Sequence, residues 1–448
     1  MNTGMIRRVL ILGLIFASGT AYPGGVYWSD RKASELKRMN FDGSNLQTII
    51  VTGAVTSPFT NSNFRGIAVD NVNNRVFWAD NGTARLLRAN LDGSASVILT
   101  TITGGNTFPA DVRLDLGNGL FYWCDQLRKV IFRSTLDGAS LTSVITNAAP
   151  SGPYFMDLDM AAGKIYWGDF SGGSIYRASL DGTAREKLLT GNIGTRGVRV
   201  DPGGGMLYWI ERDAKKVHRC PLSAFAGGTI ALTHPAVQLL YSNLDTPHGL
   251  ALDIPARKLY WADTGSNGVN GKGAHAVSRG DFDGSTPQEV LAAGMEPWDV
   301  DLDLRCATYG EWRMRCFRKD APPEQTDPHA DPDGDGIPNA LEYLFDLSPL
   351  HADAGGGPVG FLTSGPVPDA VYFAMKYHRR IDTLDLTSQV QVSRDLKTWS
   401  GSPDDVQMTE TQITPLSDGM EEVTARSLVP ISPQSRQFLR LVVVVAGP

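Results

Sequence analysis

Asp331, Asp333 and Asp335 stand at alternate positions ahead of Gly336, Ile337, Asn339 and Glu342, in the run Asp-Pro-Asp-Gly-Asp-Gly-Ile-Pro-Asn-Ala-Leu-Glu. Acids at positions one, three and five, a glycine for the sharp turn, the carbonyl of Ile337, Asn339 at position nine and a closing bidentate Glu342 match a twelve-residue calcium loop. Hard oxygen donors in this number suit calcium over magnesium. The competing reading of the same residues is an acidic linker without metal. Four further carboxylates, Asp111, Asp157, Asp299 and Asp301, lie far apart in the sequence. They form a hydrolytic metal site only if the fold brings them together.

The elements that must position these groups are set by a repeat. Tyr-Trp-x-Asp or a close variant occurs six times, ending at Asp30, Asp80, Asp125, Asp169, Glu211 and Asp263. Ten residues before the acid an apolar run closes on another Asp, at Asp70, Asp115, Asp159, Asp201 and Asp253. Twelve residues after it comes an Asp-Gly turn in most copies, as in Asp42-Gly43 and Asp92-Gly93. Asp-Gly is a strong hairpin signal because both residues tolerate positive φ. Each unit reads as four strands that are apolar on both faces, the pattern of a sheet covered by neighbours on either side. Repeats of this length and content predict the blades of a propeller.

One register is invariant within the chain. Arg38, Arg88, Arg133, Arg177, Arg219 and Arg279 stand four residues before the hairpin position in all six units. The expectation is a structural clamp, each guanidinium facing the motif carboxylate in a bidentate pair within or between blades. Six equivalent pairs around a ring cannot converge on one substrate.

These motifs resemble the class B repeat of the low-density lipoprotein receptor family, over about residues 25–303. The resemblance implies an all-β fold whose core is a six-bladed, YWTD-type β-propeller. It also implies that a protein, peptide or glycan ligand is bound where the inner strands emerge at the channel mouth. The residues at that register are Arg65, Ala110, Tyr154, Arg196, His248 and Trp298, and all but Ala110 are candidate ligand contacts of the kinds that anchor interfaces. Three positions further along, Arg113, Asp157, Arg199 and Asp301 carry charges able to pair with one another. The first motif lacks an upstream strand, and the stretch from Trp298 to Asp303 supplies one, so the last strand is expected to complete the first blade.

Residues 1–21 read as an export signal, with Arg7-Arg8, an apolar run from Val9 to Phe16 and small residues to Ala21. The propeller is assigned to residues 22–318, a linker with the calcium loop to 319–350, and a small β-sandwich to 351–448. Residues 327–349 resemble the bacterial thrombospondin type 3 repeat, which likewise implies calcium. Ala321-Pro322-Pro323-Glu324-Gln325 reads as a hinge, and the tail alternates as strands do, with Trp399 as an anchor. The insertion Thr264–Ala276 is a lesser candidate for ligand contact. Cys306 and Cys316 are placed to bridge in an oxidising compartment, although spacing alone leaves that open, and Cys124 and Cys220 read as buried free thiols.

A net charge of −7 without a basic stripe excludes nucleic acid as the main partner. The expected location is secreted, periplasmic or on the cell surface. The leading functional expectation is a non-enzymatic exported binding module whose linker is stabilised by calcium. A structural envelope or matrix component is one alternative. A hydrolase resembling propeller lactonases, with a metal in the channel, is the other.

Overall fold

The computed structural model describes residues 24–50, 62–150, 152–191, 194–265, 275–353, 355–381, 383–409, 420–431 and 436–446. The export signal, and most of the insertion at Thr264–Ala276, lie outside the described residues.

Six antiparallel sheets form the blades of a propeller. Their inner strands are Pro297–Asp303, Phe64–Asp70, Pro109–Asp115, Pro153–Asp159, Thr195–Asp201 and Pro247–Asp253, in blades one to six. Each packs on the next, and the sixth packs on the first. The motif strands come second and are almost wholly buried, as Gly25–Asp30 illustrates. All six motif tryptophans, Trp28, Trp78, Trp123, Trp167, Trp209 and Trp261, are among the most enclosed side chains. A buried indole removes on the order of 200 Å² from water, so the repeated aromatics are the main cohesion between blades. Blade one is closed by both ends of the ring, with Trp28 opposite Val300 and Val26 opposite Leu302. Two free sheet edges are thereby removed.

The hairpin glycines also act between blades. Gly93 has φ +83°, and a Cβ there would lie 1.8 Å from the carbonyl oxygen of Ile49 in the preceding blade. Gly138 and Gly182 press on Leu99 and Val144 in the same way. Blade five has lost the Asp-Gly pair. Its chain passes through a short 3-10 turn, Leu222–Phe225, and lays Ile230–Ala231 parallel to the outer strand of blade four.

The expected clamp between motif acid and arginine is corrected by the register. Arg38 pairs across the sheet with Tyr27, not with Asp30, which pairs with Glu35. Three positions of offset put the two side chains on opposite faces of the sheet. The acids instead collect backbone amides. Asp80 accepts from Asn63 N at 2.7 Å and Gly82 N at 3.0 Å, Asp125 from Phe108 N at 2.9 Å, and Asp263 from Thr246 N at 2.6 Å. Each fastens the entry loop of its own blade to the motif strand. Three of the arginines reach the outer strand or the next blade. Arg177 and Arg279 pair with Glu186 and Glu289 on the outer strands, and Arg219 donates to the carbonyl of Phe282 in the next blade.

Past the ring, the segments on either side of the expected hinge pack as a helical wedge, while Pro323, Glu324 and Gln325 of the hinge itself stay exposed. Helices α1 (Tyr309–Cys316), α2 (Pro323–Thr326) and α3 (Asn339–Phe345) follow in order. Tyr309, Trp312 and Tyr343 join the hydrophobic cluster that contains Trp28, Tyr260 and Val300. At its centre Arg315, fully buried, holds both oxygens of Asp253 at 2.7 Å and Asp346 at 2.8 Å. Asp346, the left-handed cap of α3, also pairs with Arg380. One chain of charges therefore ties blade six, the wedge and the tail together.

The tail has a four-stranded sheet, with Val359–Ser364, Val371–Arg380, Met420–Ser427 and Val406–Thr409 adjacent in that order, and a pair formed by Leu386–Ser393 and Phe438–Val445. Both share a core with Leu344 and Phe345 of α3. Trp399 lies under Arg440, 4.2 Å from ring centre to guanidinium carbon. The four cysteines, Cys306 and Cys316 included, are buried free thiols. No helix among the described residues is long and apolar enough to cross a membrane.

Candidate functional site

The channel contains two layers. In the deeper one the inner-strand carboxylates do converge, but on arginine and backbone. Arg113 lies 3.1 Å from Asp111 and 3.5 Å from Asp299, and Arg199 lies 3.4 Å from Asp299 and 3.9 Å from Asp111. Each acid also accepts an amide from the next blade. Asp111 takes Met156 N at 2.9 Å, Asp157 takes Val200 N at 2.8 Å, Asp299 takes Ile67 N at 3.1 Å and Asp301 takes Val69 N at 2.7 Å. Small residues make room for this stitching. A Cβ on Gly66 would come within 2.4 Å of Asp111 Cα, and one on Gly249 within 2.4 Å of Asp299 Cα. Burial raises the carboxyl pKa of Asp157 and Asp301 to about 6, with Arg113 opposing the shift. Burial also pushes Asp111 and Asp299 upward.

The outer layer is the mouth, and the structure corrects its expected exposure. Arg65, Tyr154, Arg196, His248 and Trp298 are each at most 6% exposed. The inner strands bring them together as a stacked lid. Arg65 lies 3.9 Å over the Trp298 ring, whose other neighbour His248 stacks at 3.9 Å. Arg196 sits 4.3 Å over Tyr154 and 4.5 Å over Phe170. Arg31 and Arg212, which the sequence reading had not singled out, stand at the rim and pair with Glu296 and Asp213. Burial lowers the pKa of Arg65 and Arg196 to about 10. His248 is driven well below its ordinary value, first by burial and then by Arg196, Arg212, Arg65 and Arg31.

The acidic loop is the third cluster. Asp331, Asp333 and Asp335 bring carboxylate oxygens within 4.8 Å of one another, the only such trio among the described residues. Gly334 N and Gly336 N donate to Asp331 at 2.9 and 3.0 Å, so the loop is wound around its first acid. Glu342 lies behind it on α3, fully buried, with neither oxygen partnered. Burial, then Asp333, Asp335, Asp353 and Asp331, raises its pKa to about 9. A carboxylate enclosed among four others without a donor fits a cation, and the donor set is all oxygen. Asn339, expected at position nine, keeps its Oδ1 buried without a protein partner. Its Nδ2 donates to the carbonyls of Gln325 and Asp327 at 2.8 and 2.7 Å, so the side chain secures the linker. Asp353, outside the twelve-residue pattern, joins through its backbone N to Asp335 at 2.9 Å.

Ring and mouth define the class as a six-bladed β-propeller with a helical wedge and small C-terminal sheets. Among solved structures the chain is similar to one from a nidogen/laminin complex, at 17% identity and TM-score 0.52, covering 63% of this chain and 98% of that one. It is also similar to TolB from Acinetobacter baumannii, at 12% identity and TM-score 0.47, covering 63% and 67% of the two chains. Virginiamycin B lyase from Staphylococcus aureus matches at 15% identity and TM-score 0.43, covering 61% and 84%. At these identities the nidogen/laminin likeness concerns the fold alone. No protein-family model matches the sequence, and no curated protein matches it significantly.

Proposed function

We propose that the chain is an exported recognition module of the kind the receptor-type repeats suggest, taking a protein ligand at the propeller mouth and holding its tail in place with calcium. The observation that carries this reading is the contrast between the two channel layers. Inside, each carboxylate is committed to an arginine or a backbone amide. At the mouth, cationic and aromatic side chains retain donors that no protein group uses. Calcium would be held by Asp331, Asp333, Asp335 and Glu342, with the carbonyl of Ile337 and the Oδ1 of Asn339, and would supply the charge that buried Glu342 lacks.

The test uses the full chain, immobilised in calcium and exposed to envelope extract and culture supernatant of the producing cell. Retention of a discrete partner is expected, falling at least about tenfold when the rim charges are reversed as Arg31→Glu and Arg212→Glu, in keeping with charge steering at an interface. Capture that is equally strong in both variants ends the mouth reading. Titration calorimetry with calcium covers the second part, and absence of binding heat in the wild type ends it.

A further inference from the structure

Two buried guanidiniums at the mouth have no carboxylate in ion-pair contact among the described residues. Among the described residues, neither Arg65 nor Arg196 forms an ion pair, although both are nine-tenths enclosed or more. Arg65 Nε and Nη1 meet no acceptor, and nor does Arg196 Nε. Arg196 satisfies only Nη1, on the carbonyls of Phe170 and Thr195 at 2.8 Å each. Beside them Trp298 Nε1 and His248 Nδ1 are also buried without a partner. An unpaired buried charge costs several kcal/mol. The ring faces return about 2 kcal/mol as cation–π contact when desolvated. The rim carboxylates do not make up the difference, because Glu296 and Asp213 are held by Arg31 and Arg212.

The unused groups are almost all donors. Arginine and tryptophan side chains can only donate, and neutral histidine can add one more N–H. The natural complement is a group that only accepts and carries negative charge. Both guanidinium faces are covered by rings, so only their edges are free, and planar edges match the two oxygens of a carboxylate. We propose that the mouth is a carboxylate-binding site, with Arg65 and Arg196 as the charge donors and Trp298 and His248 as neutral donors beside them. The inference rests on the mouth as the capturing surface and adds the chemistry of what is captured. The carboxylate belongs either to a free organic acid or to an acidic side chain of a peptide.

The experiment uses the full chain in calcium, dialysed free of polyanions. Succinate serves as the free acid, acetyl-Gly-Glu-Gly-amide as the side chain, and chloride at equal ionic strength as the control. Melting temperature and tryptophan fluorescence are recorded. A saturable rise in melting temperature beyond the chloride response is expected with at least one carboxylate probe, and whichever probe acts identifies the source. Arg65→Met and Arg196→Met should each weaken that response about tenfold or more, the loss of a charge-assisted hydrogen bond. Arg65→Met without probe should melt no lower than the wild type, because it removes an unpaired charge and keeps an apolar stem on Trp298. Arg196→Lys keeps the charge and should retain part of the response. No response beyond chloride in the wild type overturns the proposal, as does an undiminished response in both methionine variants. Carboxylate binding in a protein that captures no partner from the extract would leave this site standing and end the recognition reading. Capture that persists in the methionine variants alongside a lost carboxylate response would separate the two in the other direction.

Discussion

Removing the proposed calcium should expose the cost of Glu342. In EDTA its carboxyl has a folded pKa of about 9, against an ordinary value of 4.5, because it is buried among Asp333, Asp335, Asp353 and Asp331. A carboxyl with a raised folded pKa binds more protons folded than unfolded between those two values, so stability falls as pH rises through the window. The slope is about 1.4 kcal/mol per pH unit, or about 3 kcal/mol between roughly pH 6.5 and 8.5. Asp157 and Asp301, raised to about 6, complete their titration in the lower part of this range and do so alike in both proteins. Saturating calcium supplies the missing charge and should flatten the slope. At a hundred times its dissociation constant it also adds about 2.7 kcal/mol. Glu342→Gln has no charge to bury. In EDTA it should lose the Glu342 part of the slope, exceed the wild type in stability at the alkaline end, and gain nothing from calcium. The assay is urea denaturation at several pH values, with calcium and with EDTA. The difference between wild type and Glu342→Gln isolates this group from Asp111 and Asp299, which titrate in both proteins. Equal slopes for the two proteins in EDTA would refute the reasoning.

Two further outcomes are expected. Arg315→Met leaves Asp253 and Asp346 buried without their shared cation, so denaturation should show a loss of about 3–5 kcal/mol, partly recovered in Asp253→Asn/Arg315→Met; an unchanged midpoint would remove the charge chain as a link between ring and tail. Gly93→Ala forces a Cβ against the carbonyl of Ile49 at φ +83°, and a cost of about 1 kcal/mol or more should appear in the urea midpoint.

Periodicity carried most of the fold. Six copies of one motif in a constant register yielded the blade count, and the missing first strand placed Pro297–Asp303 in blade one, where Trp28 meets Val300. The pairing of inner charges was legible only in part, because Arg113 and Arg199 meet Asp111 and Asp299, whereas Asp157 and Asp301 take backbone amides of the next blade. Side-chain partners were less legible. A constant spacing between Asp30 and Arg38 suggested contact, but only the cross-strand register tells which faces they occupy. Composition marked the mouth residues as interface types without revealing that they stack on one another. Asp353 and the Arg315–Asp253–Asp346–Arg380 chain join segments far apart in sequence, and no local pattern announces such meetings. Asn339 fitted the loop by position, but spacing did not reveal that its Nδ2 also secures two linker carbonyls.

The sealing of blade one by Pro297–Asp303 sets an order of events. Gly25–Asp30 is synthesised early and pairs at once with Glu35–Met39, yet its inner partner follows some 270 residues later, so the torus cannot lock until nearly the whole ring exists. On the export reading proposed above, a chain threaded through a translocon in an extended state would gain from such a late latch, since an early-locked blade would have to be pulled apart. The same geometry makes interrupted synthesis hazardous. A fragment ending before residue 297 leaves an inner edge of Val26, Tyr27 and Trp28 open, a ready template for another strand, and quality control would meet it as a sticky, unfinished product.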